Sequence, residues 1–169
     1  NLAHNKIHPG SAKKLDQARQ KNQSLKSLKL GANNLGPEDA SAFGEVLEKN
    51  ETLEKLYVEY ANTGQEGAKK LANALQKNKT LKSLNLWSNK LGSEDGNAFG
   101  EALQKNEALK TLDLAHNNIP PGGAKKLAQA LQKNKSLKSL NLGSNNLGPE
   151  DASAFGEVLE KNETLEKLY

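Results

Sequence analysis

Cysteine and methionine are both absent from this 169-residue chain. A disulfide framework, a thiolate metal site and a cysteine nucleophile are thereby excluded. Aromatic residues are scarce at 4%, with three Phe, three Tyr and one Trp. No apolar run approaches the ~20 residues that cross a bilayer, so no membrane partner is expected. The opening residues, Asn1 to Lys6, show neither the basic start nor the apolar stretch of a secretory signal, and a cytoplasmic location is expected. Gly-rich phosphate loops are missing too. Pro120-Pro121-Gly122-Gly123 fits neither a P-loop nor a dinucleotide turn and reads as a rigid turn. The charge excess is small, 24 Lys+Arg against 20 Asp+Glu, and Arg19 is the only Arg.

What the chain has is repetition. Leu25-Lys26-Ser27-Leu28-Lys29-Leu30 returns at Leu53, Leu81, Leu109, Leu137 and Leu165, always 28 residues on. Such self-similarity decides a fold before any local propensity does. Position 1 of the repeat is held by Ser24, Thr52, Thr80, Ala108, Ser136 and Thr164. On this frame residues 1–169 form a single domain of six repeats, cut inside strands at both ends and without recognisable caps. Solenoids cover their open ends with polar terminal repeats, so bare ends predict end-to-end self-association. A longer period of four repeats is nearly perfect. Residues 24–57 and 136–169 differ only at Lys29/Asn141 and Ala32/Ser144.

Each repeat has two halves. Positions 2, 5 and 7 are Leu or Val, and the alternation through 5 to 7 reads as a short strand. Position 10 is Asn5, Asn33, Asn89, Asn117 or Asn145, with Ala61 the exception. Pro37-Glu38-Asp39 then starts a helix, Pro suiting the first turn and acids the positive dipole end. Ala40, Phe43, Val46 and Leu47 follow at helical spacing. Lys49-Asn50 ends it, with Asn expected in a left-handed cap.

The pattern Leu-x-x-Leu-x-Leu-x-x-Asn-x-Leu followed by a helix resembles the leucine-rich repeat family. The 28-residue length and the Lys-Asn-x-(Ser/Thr)-Leu joint are most similar to its ribonuclease-inhibitor-like subclass, found also in NOD-like receptors. The resemblance implies an α/β fold, a right-handed solenoid in a horseshoe arc, with a parallel sheet on the concave face and helices on the convex face. Elementary geometry also demands a curve. Strands pack ~4.8 Å apart and helices ~8–10 Å apart, a mismatch of roughly 20–25° per repeat.

Position 20 alternates Leu15, Phe43, Leu71, Phe99, Leu127 and Phe155, while position 21 alternates Gly44, Ala72, Gly100, Ala128 and Gly156. Large beside small keeps the layer volume constant, so all three Phe are assigned to the core. Arg19 stands where other repeats place a core Leu. Helix charge alternates as well. Residues 37–51 hold five acids and one Lys, and residues 65–79 hold four Lys and one acid. Interleaved acidic stripes repel a polyanion, so no nucleic acid partner is expected, and exposed neighbours attract by at most ~1 kcal/mol per pair.

Little chemistry is on offer. His4 and His116 hold the same position four repeats apart, and His8 lies on a turn. Asp113 precedes His116 by three residues, but no Ser nucleophile motif or further ligand set accompanies them. No catalytic residue, metal or cofactor is expected, and the chain reads as no enzyme. Resemblance to GTPase-activating leucine-rich repeat proteins would call for an Arg or Asn on the rim, whereas Arg19 falls in a helix. Asn-x-Ser/Thr occurs at Asn22, Asn50, Asn78, Asn134 and Asn162, all at position 27. Five copies of one position read as a structural joint rather than five glycosylation sites.

The remaining aromatics are the informative feature. With positions 5 and 7 inward, 4, 6 and 8 face the hollow, and 9 follows in the turn. Tyr57 and Tyr169 sit at 6, Trp87 at 8 and Tyr60 at 9. Tyr57, Tyr60 and Trp87 are expected to form one patch. Lys29, Lys55, Glu59, Asn85, Asp113 and His116 are expected to supply polar contacts around it. The patch coincides with the worst departure from the repeat, Ala61 at position 10 and Thr63 at position 12. Rule-breaking of this kind is expected at functional sites. The expected function is a non-catalytic module that binds a protein or peptide ligand on its concave face. The alternative is an engineered or consensus-like scaffold with no evolved ligand, which the near-identical copies favour.

Overall fold

A computed structural model describes residues 1–10 and 22–169. Leu15 and Arg19 lie outside the described residues. Among those described, six strands alternate with five helices. In chain order they are β1 (Ser27–Lys29), α1 (Pro37–Lys49), β2 (Lys55–Tyr57), α2 (Gly64–Leu75), β3 (Ser83–Asn85), α3 (Ser93–Lys105), β4 (Thr111–Asp113), α4 (Lys125–Leu131), β5 (Ser139–Asn141), α5 (Pro149–Leu159) and β6 (Lys167–Leu168). The strands form one open parallel sheet in sequence order. Leu28, Leu56, Leu84, Leu112, Leu140 and Leu168 stand in one register row. Parallel neighbours need a crossover, and each helix supplies it.

The core lies between sheet and helices. Leu56, Leu84, Leu112 and Leu140 are fully buried from the strand side, and Phe43, Leu71, Phe99 and Leu127 from the helix side. Each such side chain contributes ~1.5–3 kcal/mol. At Gly44 and Gly100 the glycine of position 21 has a sharper cause than volume, whereas a Cβ on Gly156 would meet nothing within 4 Å. A Cβ on Gly44 would stand 2.9 Å from the Lys70 backbone, and one on Gly100 2.7 Å from that of Lys126. The neighbouring repeat's helix leaves no room for a side chain at those two positions.

Leucine alternation fixes which face each strand turns inward, but a two-residue slip keeps that face, so something more must set the register. Asparagine side chains do so at both ends of the strand. Asn117 Oδ1 accepts the N–H groups of Asn89 and Leu91 in the preceding repeat, and its Nδ2 donates to Leu86, Leu114 and Ala115 carbonyls. Asn89 makes the same bridge to Ala61, Thr63 and Val58. At Ala61 the rung is missing, and the Asn33 and Leu35 amides lack that acceptor. The turn itself survives: Tyr60 and Asn62 have φ of 50° and 54°, close to 55° and 62° at Ser88 and Lys90.

Position 27 carries the second ladder. Asn78 Nδ2 donates to the Leu47 and Asn50 carbonyls, while its Oδ1 accepts the amides of Thr80 and Leu81. Asn106, Asn134 and Asn162 repeat this pattern. The left-handed cap expected at Asn50 is not formed. Asn50 is extended, with φ −83° and ψ 124°, because its carboxamide must reach forward to cap the Thr52 and Leu53 amides. The sequons at Asn50, Asn78 and Asn134 are buried with both carboxamide atoms or the carbonyl oxygen engaged, which is the structural joint.

A third buried polar position, 16, anchors helix starts. Asp151 accepts N–H groups from Gly122, Ala124 and Gly148. Asp95, only 1% exposed, accepts the Gly92 amide at 2.7 Å. Its counterparts of Gly122 and Ala124 are Glu66 and Ala68, and both belong to helix α2, which starts at Gly64. In the corresponding later repeat, Pro120-Pro121 and left-handed Gly122 delay helix α4 to Lys125. Burial therefore outweighs hydrogen bonding at Asp95 and pushes its carboxyl up to about 6, with Glu94 raising it further and Lys69 opposing.

Two stability predictions follow from these polar positions. Restoring the missing rung by Ala61→Asn should add about 1 kcal/mol, whereas Asn117→Ala should remove about 2–4 kcal/mol, both read by urea unfolding. Asp95 binds more protons folded than unfolded between pH ~4, its unfolded value, and pH ~6. Its contribution is thus greatest in acid and is lost as pH rises through 6. Asp95→Asn should flatten that part of the pH–stability curve relative to the parent and gain about 2 kcal/mol at pH ~7.

Candidate concave binding surface

The register of the sheet lays the candidate residues out in rows. Lys29, Tyr57, Asn85, Asp113 and Asn141 form the position-6 row, and Ser27, Lys55, Ser83, Thr111 and Ser139 the position-4 row. The backbone ladder continues past the strands. The amides of Ala32, Tyr60, Ser88 and His116 donate to the carbonyls of Glu59, Trp87, Ala115 and Gly143 in the next repeat. Positions 8 and 9 are therefore held as firmly as the strand itself.

Position 9 has a backbone no residue type announces. His4, Ala32, Tyr60, Ser88, His116 and Ser144 all lie in the left-handed region, with φ between 50° and 58°. That conformation costs a non-glycine residue ~1–2 kcal/mol. Its side chain is thrown off the sheet, and Tyr60 is 53% exposed as a result.

Three rings from three consecutive repeats meet there. The Tyr60 and Trp87 centroids lie 4.3 Å apart at 87°, and those of Trp87 and His116 lie 4.7 Å apart at 67°. Both are edge-to-face arrangements, in which the positive edge of one ring meets the negative face of the other. Tyr57 belongs to a different pair, with Lys29 Nζ 5.0 Å from its ring centroid. From spacing, Tyr57 is expected beside Trp87, and His116 among the polar contacts. In the structure His116 completes the aromatic ridge, and Tyr57 stands one row away with a cation on it.

The polar residues divide by what already binds them. Asn85 Oδ1 accepts the Trp87 amide at 2.9 Å, and Asp113 Oδ1 accepts the Ala115 amide at 3.0 Å. These side chains tie down the positions that carry the ridge. Asp113 Oδ2 also accepts from Asn141 Nδ2 at 3.3 Å. Glu59 folds over Gly31, where a Cβ would come within 2.3 Å of its carboxyl carbon. Glu59 Oε2 is buried without a hydrogen-bond partner, as is Thr63 Oγ1. Lys55 is exposed and unpaired. Among the described residues no group of three or more His, Asp or Glu is placed to hold a metal ion, and no helix is long and apolar enough to cross a membrane.

Comparison with known proteins places this architecture. No curated protein matches the chain in sequence. Among solved structures, one of leiomodin-1 actin-binding site 2 superposes with a TM-score of 0.58 at 16% identity, covering 93% of this chain and 75% of that one. A Bacteroides fragilis protein superposes with a TM-score of 0.54 at 22% identity, covering 86% of this chain and 40% of that one. Both likenesses concern the fold. The family profile described as Leucine Rich repeat matches residues 21–44, 77–100, 105–128 and 133–156, more than half of the sequence. The 28-residue register, the parallel sheet with its helices and these four matches together make the chain a member of the leucine-rich repeat family.

Proposed function

We propose that the chain is a non-catalytic module that binds a protein or peptide ligand on its concave face, anchored by the Tyr60–Trp87–His116 ridge. Leucine-rich repeats in general mediate protein binding, which supports the class of function. The ridge is the observation that carries the particular surface. Tyr60 and His116 occupy a left-handed position where large side chains gain nothing from the backbone. The strain, ~1–2 kcal/mol, is about what an edge-to-face ring pair returns, ~0.5–1.5 kcal/mol. Ala32 and Ser144 bear the same strain in the same conformation, so the fold does not require rings at this position. Exposed aromatic clusters on an ordered backbone are the usual anchors of interfaces, since little side-chain freedom is lost on binding. Tyr57 with Lys29, then Lys55, Glu59, Asn85 and Asp113, surround the ridge as contacts.

The near-identity of residues 24–57 and 136–169 favours a second reading, a consensus-like scaffold without an evolved ligand. Peptides selected from a random display library on the immobilised chain separate the two. On the binding reading, selected peptides should lose at least ~30-fold in affinity against a Tyr60→Gly, Trp87→Ala, His116→Gly variant. Its melting temperature should stay within a few degrees of the parent, and Tyr57→Ala should weaken binding less. Undiminished affinity would remove the ridge from the assignment, and failure to select any peptide would leave the scaffold reading.

A further inference from the structure

A second surface lies on the rim where helices return to strands. Position 3 of each repeat opens the strand there, and its occupants are stacked neighbours. The Lys110 amide donates to the Lys82 carbonyl at 2.8 Å, and the Lys138 amide to the Lys110 carbonyl at 2.9 Å. At the outer repeats this row alternates in charge. Glu54 lies between Lys26 and Lys82, with contacts of 3.5 and 2.9 Å, and Glu166 pairs with Lys138 at 2.5 Å. These ammonium groups hold the Glu54 and Glu166 carboxyls below the usual carboxylate range, chiefly by hydrogen bonding from Lys82 and Lys138. At the centre the alternation fails. Lys82, Lys110 and Lys138 stand side by side, and among the described residues no carboxylate pairs with Lys110.

Like charges on adjacent strands are destabilising. A carboxylate at residue 110 would continue the ladder, so fold stability does not explain the lysine. Cations beside helix C-termini answer the dipole, which accounts for Lys77, Lys105 and Lys133 at the helix ends. It does not account for Lys79, Lys110 or Lys135, which lie beyond them. Two hollows separate the joints. One of about 300 Å³ is lined by Lys77, Lys79, Lys105 and Glu107, and the next, about 390 Å³, by Glu107, Lys110, Lys133 and Lys135. From residue 77 to residue 138 this rim carries eight lysines; Lys77, Lys82 and Lys138 pair with Glu48, Glu54 and Glu166, and among the described residues Lys79, Lys105, Lys110, Lys133 and Lys135 pair with no carboxylate.

The geometry points to this rim as a docking surface for an extended acidic peptide segment, centred on Lys110 and independent of the concave ridge. Carboxylates along such a segment would neutralise the central lysines that the fold leaves unpaired. A peptide fits better than a nucleic acid for two reasons. No aromatic side chain lines either hollow, so bases have nothing to stack on. Glu107 separates the two hollows, where a phosphate backbone would meet it and a peptide can pass with an uncharged residue.

The test uses the 169-residue chain and a fluorescent octaglutamate peptide, with anisotropy measured at about 150 mM salt. Lys110→Glu with Lys135→Glu should weaken binding at least ~10-fold, while Lys70→Glu with Lys125→Glu on the helices changes it less than ~2-fold. Lys110→Glu alone should hold or raise the melting temperature, because a carboxylate there faces Lys82 and Lys138. The Tyr60, Trp87 and His116 substitutions should leave octaglutamate binding unchanged, which keeps the two surfaces distinguishable. The proposal is overturned by any of three results: no binding, equal loss in the helix variant, or tighter binding of an oligothymidine of equal charge. A lower melting temperature for Lys110→Glu would remove its electrostatic basis.

Discussion

Everything on this molecule's surface depends on carboxamides that bridge one repeat to the next. A three-residue parallel strand pair holds few hydrogen bonds, and burial of leucine fixes the inward face of each strand without excluding a two-residue slip. Asn89 and Asn117 at one end of the strand, and Asn78 and Asn106 at the other, each bond to backbone groups of the preceding repeat. Each bond contributes only ~1 kcal/mol net, but stranding a buried amide costs as much again or more. A slipped register would strand many at once. The hydrophobic term sets how stable the stack is; the asparagines set which stack it is.

That division explains why the inner surface can vary. With register fixed from the two ends, side chains at positions 4, 6, 8 and 9 carry little of the packing. Lys29 and Asn141 occupy equivalent places in near-identical copies, as do Ala32 and Ser144. Position 9 accepts His, Ala, Tyr and Ser in one backbone conformation, the left-handed one. A site tolerant of size and polarity, held by a ladder bond to the next repeat, suits side chains chosen for contact rather than for folding. Rings placed there would lose little freedom on binding the proposed ligand.

How much of this was legible depends on the distance over which a feature is decided. The period, the strand and helix halves, the Leu row and the Phe core follow from spacing within one repeat. The joint role of position 27 was legible too, because six copies of Asn at one place, five of them in Asn-x-Ser/Thr, have one cause. Its geometry was not: a capping Asn reads as left-handed locally, while Asn50 is extended because Thr52 and Leu53 need its oxygen. The aromatic ridge was half legible. Spacing put Tyr60, Trp87 and Tyr57 on one face, but which neighbours meet depends on the lean of positions 8 and 9 across repeats. Trp87 leans to Tyr60 and His116, and nothing within a 28-residue window encodes that. A helix-by-helix charge count misses the run of three lysines around the unpaired Lys110, since Lys110 belongs to no helix.

The defects of the stack are not scattered. The missing carboxamide at Ala61, the unpartnered Thr63 Oγ1 and the unpartnered Glu59 Oε2 all fall in one repeat. That repeat also contributes Tyr57 and Tyr60. A drifting repeat array would distribute such losses over its layers, each worth ~1–3 kcal/mol of unsatisfied polar burial. Among the described residues the rungs of Asn33, Asn89, Asn117 and Asn145 stand on either side of one layer that gives up several bonds. Glu59 and Tyr60 flank the break, and Tyr60 keeps its bond to the Trp87 carbonyl across it. The sheet is thus preserved where the rings are displayed, while hydrogen bonding is surrendered just behind them. Local rule-breaking is concentrated at a place the remaining structure can support, directly behind the rings of the proposed binding surface.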